Sequence, residues 1–480
     1  MIRNLKKVLL SDPSNWTYWL AIAFITRLIF FILVIHFRQY VKFDGFWGGI
    51  RDDSDGYLIP FDNLLKTGNY YPDFRMPGYG VLYFPLIFIF SKVIACNIVI
   101  IIQLILSSLS VYALALIAKN LFNNTALFHI AFYLFAFSSF SSLLDPVLLT
   151  ESLSTSTLIL STYFFTRFFN PGKVYNLFIS GGLLTWGIFL HPVFCPFLVF
   201  FLLMLIVMLT RSIRKMFLPI FLFILPFILF DGAWVLRNYY TYHKVTPLTR
   251  SVLFPWVENT YLEPIVEFGK TWGAGIWFVD PKGNDLSWFI NNNRGPIDKD
   301  TIPFPNNIYT SAFNKDSLRM LKKLIIGLKT DSTLSAEQKN QYNNAIFNKL
   351  QIYTASIKKE KPYLYYIKSN GHRLKEFLLS IHTVSKLYIN NRVTFFYNSY
   401  YYITLFSGIL GVLLMIPFIF KLALQSIIPI IPIYIIIIHP FFIKYTENRY
   451  LIPAYPFMII CASYCFMLIY KWVSGYLQKQ

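Results

Sequence analysis

Residues 79–95, YGVLYFPLIFIFSKVIA, decide how the whole chain is threaded through a membrane. The run is apolar but short, with Pro77 just before it and Pro85 inside it, which is typical of an interfacial or re-entrant helix. If it spanned the membrane, the later basic clusters would lie outside, against the positive-inside rule. If it stays at the interface, they lie in the cytoplasm. These clusters are Lys119, Arg167 with Lys173, Arg211 with Arg214 and Lys215, and Lys471 with Lys479.

The composition is that of a multispanning membrane protein. Of the 480 residues, 56% are hydrophobic and only 14% are charged, and the mean hydropathy is +0.51, values that an ordinary soluble protein does not have. The formal net charge of +20 would suggest nucleic acid as a partner of a soluble chain. Here the charge divides between helix ends and a polar insert, so we expect membrane lipids and phosphate-bearing substrates as partners, and no nucleic acid.

The apolar runs predict an all-α polytopic membrane protein with about ten transmembrane helices and both termini in the cytoplasm. The first run, from Trp16 to Phe37, contains Arg27 near its middle. A charge there costs at least about 2.5 kcal/mol in hydrocarbon, so Arg27 is expected to face the protein interior. The other predicted spans are 98–118, 125–143, 147–166, 175–190, 192–210, 216–232, 400–420, 426–443 and 450–470.

Three regions follow from this pattern: a membrane module at 1–232 with its first loop at 38–97, an extracytoplasmic insert at 233–399, and C-terminal membrane helices at 400–480. The insert is irregular to about residue 315 and then reads as helical. Its predicted helices run from Asp316 to Lys329, onward from Ser335 with a capping box, and from about Pro362 to Leu387.

The first loop carries the densest polar chemistry. Residues 51–79 read RDDSDGYLIPFDNLLKTGNYYPDFRMPGY and lie outside in the predicted topology. Asp52, Asp53 and Asp55 stand together, and neighbouring like charges raise one another's pKa. The loop is either a solvated acidic connector or a catalytic segment whose short amphipathic helix lies at the interface. The turn from Arg75 to Tyr79 presents an arginine near the headgroups, where it either binds phosphate or extends along the lipid surface.

The sequence predicts no cofactor. The four cysteines lie in or beside apolar runs, where cysteine usually acts as a small hydrophobic residue, so we expect neither disulfides nor a zinc site. No phosphate-binding P-loop or dinucleotide fingerprint is present, which argues against direct use of ATP or nucleotide sugars. The cysteines are Cys96, Cys195, Cys461 and Cys465.

The motifs resemble those of the GT-C superfamily, membrane glycosyltransferases that take sugar from a polyprenyl-phosphate carrier, and in particular the group of protein O-mannosyltransferases and lipid A aminoarabinose transferases. Two departures are His191-Pro192, where Arg-Pro is usual, and Ala233-Trp234, where Pro-Trp is usual. The resemblance extends from residue 16 to 470, with only a loose match over the insert. The matching residues are Asp53, Tyr57, Gly68, Arg75, Pro77, Gly78, Tyr79, Thr150, Glu151, Arg237, Asn238, Glu447, Arg449, Tyr450, Pro453 and Pro456.

This resemblance implies a GT-C-like fold and an inverting transfer of sugar to an extracytoplasmic lipid, glycan or protein acceptor. It implies that Asp53 acts on the attacking hydroxyl, with Asp52 and Asp55 as alternatives, and that Glu151 is a second catalytic carboxylate. It leaves open a divalent cation between Asp53 and Glu151. The leaving lipid phosphate would be bound by Arg75, Arg449, Arg237 and Lys444. Other expected substrate-binding residues are Tyr57, Tyr79, Asp145, Glu447 and His191.

Several alternatives stay open at this point. Glu151 and Asp145 also read as acidic residues near a helix N-terminus, which they would stabilise through the helix dipole. Arg449 and Glu447 also read as an ion pair between the last two spans. The rival functions are a transporter or flippase of a lipid-linked saccharide and a non-catalytic scaffold for envelope assembly. The expected location is the inner (plasma) membrane, with the active site on the extracytoplasmic face.

Overall fold

The computed structural model of the chain describes residues 11–37, 42–51, 53–70, 75–170, 172–209, 213–243, 245–248, 262–273, 288–289, 304–380, 391–444 and 447–477. Within these ranges the regular structure is helical, with two isolated β-bridges and no strand. The prediction of an all-α chain is therefore confirmed for the described residues. The chain divides into two units, of which the second comprises Val252–Ser380 and Ile436–Asn448.

The α-helices are numbered in chain order. The first ten are α1 Trp16–Phe37, α2 Ser54–Thr67, α3 Gly80–Ile89, α4 Lys92–Phe122, α5 Thr125–Ala136, α6 Ser139–Ser142, α7 Thr150–Phe169, α8 Tyr175–Leu190, α9 Cys195–Leu209 and α10 Ile213–Tyr242. The remaining ones are α11 Leu262–Lys270, α12 Lys315–Thr330, α13 Ala336–Glu360, α14 Ser369–Leu379, α15 Asn391–Phe420, α16 Ile427–Ile437 and α17 Tyr455–Leu477.

Among the described residues, 7 helical stretches are long and apolar enough to cross a membrane. Shorter apolar helices cover Pro77–Ile89, Thr125–Ala136 and Tyr175–Leu190. The chain is thus a helical protein with several membrane-crossing segments. The longer stretches are Trp16–Phe37, Lys92–Phe122, Pro192–Leu209, Met216–Thr241, Thr394–Phe420, Leu424–Ile443 and Tyr455–Ser474.

The run at 79–95 does not form one continuous helix. Helix α3 has 10 residues and ends at Ile89, where Phe90 is extended, and Lys92 then opens the 31-residue helix α4. At 1.5 Å per residue, α3 is about 15 Å long, roughly half the thickness of the hydrocarbon core. This length fits the expectation that the segment does not cross the membrane by itself.

Helix α7 is rich in serine and threonine, and these side chains are buried against its neighbours. Ser161 and Ser180 exchange hydrogen bonds between α7 and α8, with each hydroxyl oxygen 2.9 Å from the other residue's carbonyl oxygen. Gly181 lets α10 approach closely, because a Cβ there would lie 1.9 Å from the carbonyl oxygen of Phe223. Small residues therefore allow the close helix packing that membrane bundles require.

Arg27 is fully buried, which confirms that it faces inward. Its guanidinium donates to the carbonyl of Phe135 at 3.2 Å, to the hydroxyl of Ser141 at 3.2 Å and to the hydroxyl of Ser142. The same group lies 4.6 Å from the centre of the Phe135 ring. Neutral oxygens and an aromatic face thus replace the water that this cation would have outside the membrane.

The second unit has an aromatic and aliphatic core of its own, which includes Phe268, Phe313 and Tyr353. The predicted start of α13 is confirmed, because Ser335 and Gln338 form a reciprocal capping box. Asn314 caps α12 in the same way. The predicted helix from Pro362 becomes a π-helical turn followed by α14, which ends at Leu379. The remainder of that prediction falls outside the described residues.

Candidate active site

Asp53 lies at the start of α2, between two arginines. Its Oδ1 accepts a hydrogen bond from Nη2 of Arg75 at 2.8 Å, and its Oδ2 accepts one from Nη2 of Arg449 at 2.7 Å. Nε of Arg449 lies 3.4 Å from Oε1 of Glu151. Two carboxylates and two guanidinium groups therefore alternate in one chain of charges, in the order Arg75, Asp53, Arg449 and Glu151.

Within this chain of charges, Asp53 is partly exposed and the other three side chains are more deeply buried. The side chain of Asp53 is 36% exposed, whereas those of Arg75, Arg449 and Glu151 are 15%, 12% and 4% exposed. The second oxygen of Glu151, Oε2, is buried without a hydrogen-bonding partner among the described residues. The most accessible side chain of this group is therefore that of Asp53.

The first turn of α2 fixes Arg75. Its guanidinium lies 4.2 Å from the centre of the Tyr57 ring, a cation–π contact. Gly56 gives the arginine room, because a Cβ at that position would lie 2.4 Å from Nε of Arg75. The hydroxyl of Tyr57 lies 3.4 Å from that of Thr150, next to Glu151. The spacing from Asp53 to Tyr57 thus places the carboxylate and the ring on either side of one arginine.

Arg449 lies in the 3-10 turn Asn448–Leu451, just before α17. Besides its two carboxylate neighbours, it donates from Nη2 to the hydroxyl of Tyr450 at 3.2 Å. The ring of His191 packs edge to face against that of Tyr450, with 5.7 Å between centres. Burial, with a contribution from the positive charge of Arg449, lowers the pKa of His191 to about 4. His191 is therefore neutral at physiological pH and does not supply the positive charge that an arginine would.

The segment 145–148 ties the site's separate parts together. Gln103, in the middle of α4, donates from Nε2 to the carbonyls of Asp145 at 2.9 Å and Val147 at 3.0 Å. Its Oε1 accepts from the hydroxyl of Tyr79 at 2.9 Å. The loop before Asp53 joins the same segment through Gly49, whose amide donates to the carbonyl of Pro146 at 2.8 Å. The turn that bears Arg75 and the helix that bears Glu151 are thus held by one amide side chain.

Asp145 is buried and serves this scaffold. Its oxygens accept hydrogen bonds from Ser107 at 2.8 Å and from Ser152 at 2.6 Å. Burial raises the pKa of the Asp145 carboxyl, although the charge of Arg27 and the two serine hydroxyls act in the opposite direction. In this arrangement Asp145 anchors the first turn of α7, where Glu151 stands. Its contacts are those of a positioning residue.

The expected rise in the pKa of Asp53 is wrong. Burial does favour a higher pKa, but the charges of Arg449 and Arg75 and their hydrogen bonds outweigh it and lower the pKa of Asp53 below its ordinary value. The sequence argument considered only acidic neighbours along the chain, whereas the two arginines come from elsewhere in the fold. Asp55 is exposed, and Asp52 lies outside the described residues.

The other predicted phosphate-binding cations have different surroundings. Arg237 donates to the carbonyl of Tyr70 and lies 5.0 Å from the ring centre of Trp234. Lys444, in the second unit, donates to the hydroxyl of Tyr365 at 3.0 Å. Glu447 also belongs to the second unit. Of the four predicted cations, Arg75 and Arg449 are the ones that the structure brings together with Asp53.

A metal ion does not fit between Asp53 and Glu151 in this arrangement, because the guanidinium of Arg449 contacts both carboxylates. Among the described residues, no three His, Cys, Asp or Glu side chains lie together as a metal site would require. Arg449 supplies the positive charge at the position where the sequence left a divalent cation open. A cation there would have to displace it.

Gln103 is the site residue that sequence reasoning missed. The signal was an amide in the middle of a long apolar helix, since a polar side chain at that depth needs partners inside the protein.

Comparison of the chain with protein-family models and with curated proteins finds no match in either case.

Proposed function

We propose that this chain is a glycosyltransferase of the GT-C type that transfers a sugar from a polyprenyl phosphate to an acceptor outside the cytoplasm. The observation that carries the proposal is the charge chain of Arg75, Asp53, Arg449 and Glu151. Its members come from three separate regions: the first loop, the first turn of α7 and the 3-10 turn before α17. A donor whose tail lies in lipid and whose phosphate lies at the interface needs cations and carboxylates in such a place.

The reaction has two electrostatic requirements. The acceptor's oxygen attacks the anomeric carbon while the bond from that carbon to the phosphate oxygen breaks, and its electron pair remains on the phosphate. The departing phosphate dianion needs positive charge, which Arg75 and Arg449 supply. The hydroxyl proton of the acceptor needs a carboxylate, and Asp53 is the more exposed of the two available. Attack opposite the leaving group inverts the configuration at the anomeric carbon.

Glu151 has a different role in this scheme. Its Oε1 lies beside Nε of Arg449, so it orients the guanidinium while leaving the terminal nitrogens for other partners. A guanidinium carries five N–H donors, enough for a carboxylate on one edge and a phosphate on another. Glu151 therefore positions Arg449, and Tyr57 does the same for Arg75 through its ring.

The topology we propose has about ten spans, both termini in the cytoplasm and the charge chain on the outer face of the plasma membrane. Two of the shorter apolar helices, Thr125–Ala136 and Tyr175–Leu190, would complete the bundle together with the serine-rich α7. The second unit, with its own aromatic core, would contribute to the choice of acceptor. Removing residues 315–379 and finding an unchanged preference among acceptors would contradict that last assignment.

The test uses the full-length protein in lipid nanodiscs, supplied with synthetic polyprenyl-phosphate monosaccharides that differ in the sugar. Consumption of one donor, with release of polyprenyl phosphate, is expected for the wild type and is expected to collapse in Asp53→Asn. The control is Asp62→Asn. Asp62 is on the same helix but pairs with Lys92 and Tyr83, so that variant should keep its activity.

Two results would overturn the proposal. Undiminished sugar transfer by Asp53→Asn would remove the carboxylate from the reaction. Movement of intact donor across the bilayer of a reconstituted vesicle, without chemical change, would indicate a transporter. Mass spectrometry of lipids and glycans from a strain that lacks the protein would then identify the natural product.

A further inference from the structure

Asp53 occupies a position suited to an anion with at least two oxygens. Each of its carboxylate oxygens accepts a hydrogen bond from a different guanidinium, at 2.8 Å from Arg75 and at 2.7 Å from Arg449. Both bonds join charged partners, which makes them stronger than hydrogen bonds between neutral groups. The phosphate of the proposed donor has the same requirement for two guanidinium groups placed on opposite sides of its oxygens.

The two arginines are held by contacts that do not depend on Asp53. Arg75 lies against the ring of Tyr57, and Arg449 is held by Glu151 and by the hydroxyl of Tyr450. Asp53 is the most exposed member of the group, and its side chain makes no capping hydrogen bond to α2. The anion position between the arginines therefore persists if Asp53 turns away from it.

The doubly paired carboxylate also conflicts with the role of a base. A carboxylate that accepts two charge-assisted hydrogen bonds binds a proton weakly, so Asp53 must lose at least one of them before it can take a proton from a hydroxyl. The donor's phosphodiester, like a carboxylate, carries one negative charge on two oxygens, so it can take the carboxylate's place between the two guanidinium groups. Its negative charge rises toward two as the bond to the sugar breaks, which strengthens its attraction to the arginines during the reaction. Arrival of the donor would therefore release the base at the moment when it is needed.

We propose that Asp53 fills the phosphate-binding position of Arg75 and Arg449 in the absence of donor, and that the donor's phosphate displaces it. This inference rests on the proposed function, and it adds that binding of the donor frees the base. The exchange itself makes and breaks no covalent bond. In the step that follows, the freed Asp53 carboxylate takes the acceptor's hydroxyl proton while the phosphate leaves into the arginine pair. Before the donor binds, Asp53 is paired with both arginines and is not free to act as a base.

The first experiment measures the affinity of the full-length protein in nanodiscs for polyprenyl phosphate, the product without sugar. Asp53→Asn keeps the shape of the side chain but removes the internal competitor, and its affinity is expected to be at least about tenfold tighter than that of the wild type. Asp62→Asn is the matched control. It removes one negative charge from the same helix, yet Asp62 pairs with Lys92 and Tyr83 and not with either arginine of the anion position, so a change under about threefold is expected.

The outcomes separate this inference from the proposed function. An affinity of Asp53→Asn equal to or weaker than that of the wild type, or equal gains in both variants, overturns the displacement. If the wild type still consumes a donor, the proposed function survives that result. If no form of the protein binds polyprenyl phosphate, the proposed donor class fails and the displacement fails with it.

A second experiment does not depend on any variant's folding. Cryo-electron microscopy of the wild type with bound polyprenyl phosphate should show phosphate oxygens within hydrogen-bonding distance of both guanidinium groups. It should also show that Asp53 has lost at least one of its two arginine partners. A phosphate bound while both bonds from the arginines to Asp53 remain would overturn the inference, since the spare guanidinium donors would then suffice.

Discussion

Arg27 and Arg449 are both largely buried arginines of the same unit, and their surroundings differ in one respect. Arg449 contacts two carboxylates, one of them partly exposed. The hydrogen bonds of Arg27 go to serine hydroxyls and backbone carbonyls, which are neutral. The first arrangement can exchange one anion for another, because a phosphate that replaces a carboxylate again places negative charge beside the guanidinium groups. The second has nothing of comparable charge in direct contact to exchange.

The comparison separates two ways of keeping a cation inside a membrane protein. Neutral oxygens solvate Arg27 and join α1 to the segment at α5 and α6, which is a structural use. Opposite charges hold Arg449 at a position reached by a partly exposed residue, which is a chemical use. Burial alone would have ranked Arg27 as the more functional of the two, since a fully buried charge is the more costly one. The partners, which are carboxylates for Arg449 and neutral oxygens for Arg27, place Arg449 first instead.

Among the variants considered, Arg449→Lys is expected to reduce sugar transfer the most. A single ammonium group cannot contact Asp53 and Glu151 from two separate nitrogens, so transfer should fall by about 100-fold or more, the usual cost of losing one charge-stabilising group. The melting temperature of the purified protein should change little, because the positive charge remains. Arg319→Lys is the control. Arg319 is an exposed arginine in the second unit, and its replacement should change neither quantity.

Arg27→Leu tests the other half of the comparison. It removes several buried hydrogen bonds and an aromatic contact, so we expect a loss of about 2–3 kcal/mol in stability. This should appear as a lower melting temperature, while transfer per folded molecule stays close to that of the wild type. Arg167→Leu, at an exposed arginine, should stay within about 0.5 kcal/mol. A collapse of transfer in well-folded Arg27→Leu would contradict the structural assignment.

Gln103→Leu should combine the effects expected for Arg449→Lys and Arg27→Leu. Gln103 is buried and neutral, but it holds the segments that bear Arg75 and Glu151. The change leaves two carbonyls and the hydroxyl of Tyr79 without this partner, at a cost of about 1–2 kcal/mol. We expect a modest loss of stability together with a lower turnover and little change in the Michaelis constant for the donor. Gln425→Leu, which removes one hydrogen bond to the carbonyl of Leu121, should affect stability only.

The smallest expected effect is the dependence of the protein's stability on acidic pH. The pKa of Asp53 in the folded protein is below its unfolded value of about 3.9, so its ion pairs stabilise the fold above that pH. The stabilisation is lost as the pH falls through the folded pKa. The difference in melting temperature between the wild type and Asp53→Asn should therefore be constant from about pH 5 to 8 and shrink below about pH 4. A difference that already shrinks between pH 7 and 5 would contradict the lowered pKa.

Several features of the fold and of the candidate site could be predicted from local sequence. The spacing of Asp53, Tyr57 and Arg75 marked the first loop, and the helix that follows Asp53 starts at Ser54 as the pattern suggested. The capping box at Ser335 fixed a helix start, and the hydrophobic run around Arg27 required that residue to face inward. These features depend on neighbours within a few residues or on one span, where periodicity and capping are informative.

The other features of the candidate site depend on contacts between segments that are distant in the sequence. No local pattern indicated that Arg449 would pair with Asp53, and the raised pKa was inferred from acidic neighbours alone. Lys444 followed the same reasoning as Arg449, yet its described partner is Tyr365 in the second unit. Gln103 attracted no notice because one amide in an apolar run has no motif, although its three hydrogen bonds join the loops of the site.

The charge chain also has a consequence for how the protein is made. Glu151 leaves the ribosome long before Arg449, which belongs to the last part of the chain, and domains form in the order of synthesis. Until the C-terminal helices insert, Glu151 is a carboxylate without its guanidinium neighbour. A nascent chain stopped before residue 449 would thus carry an acid at position 151 that Arg449 has not yet neutralised.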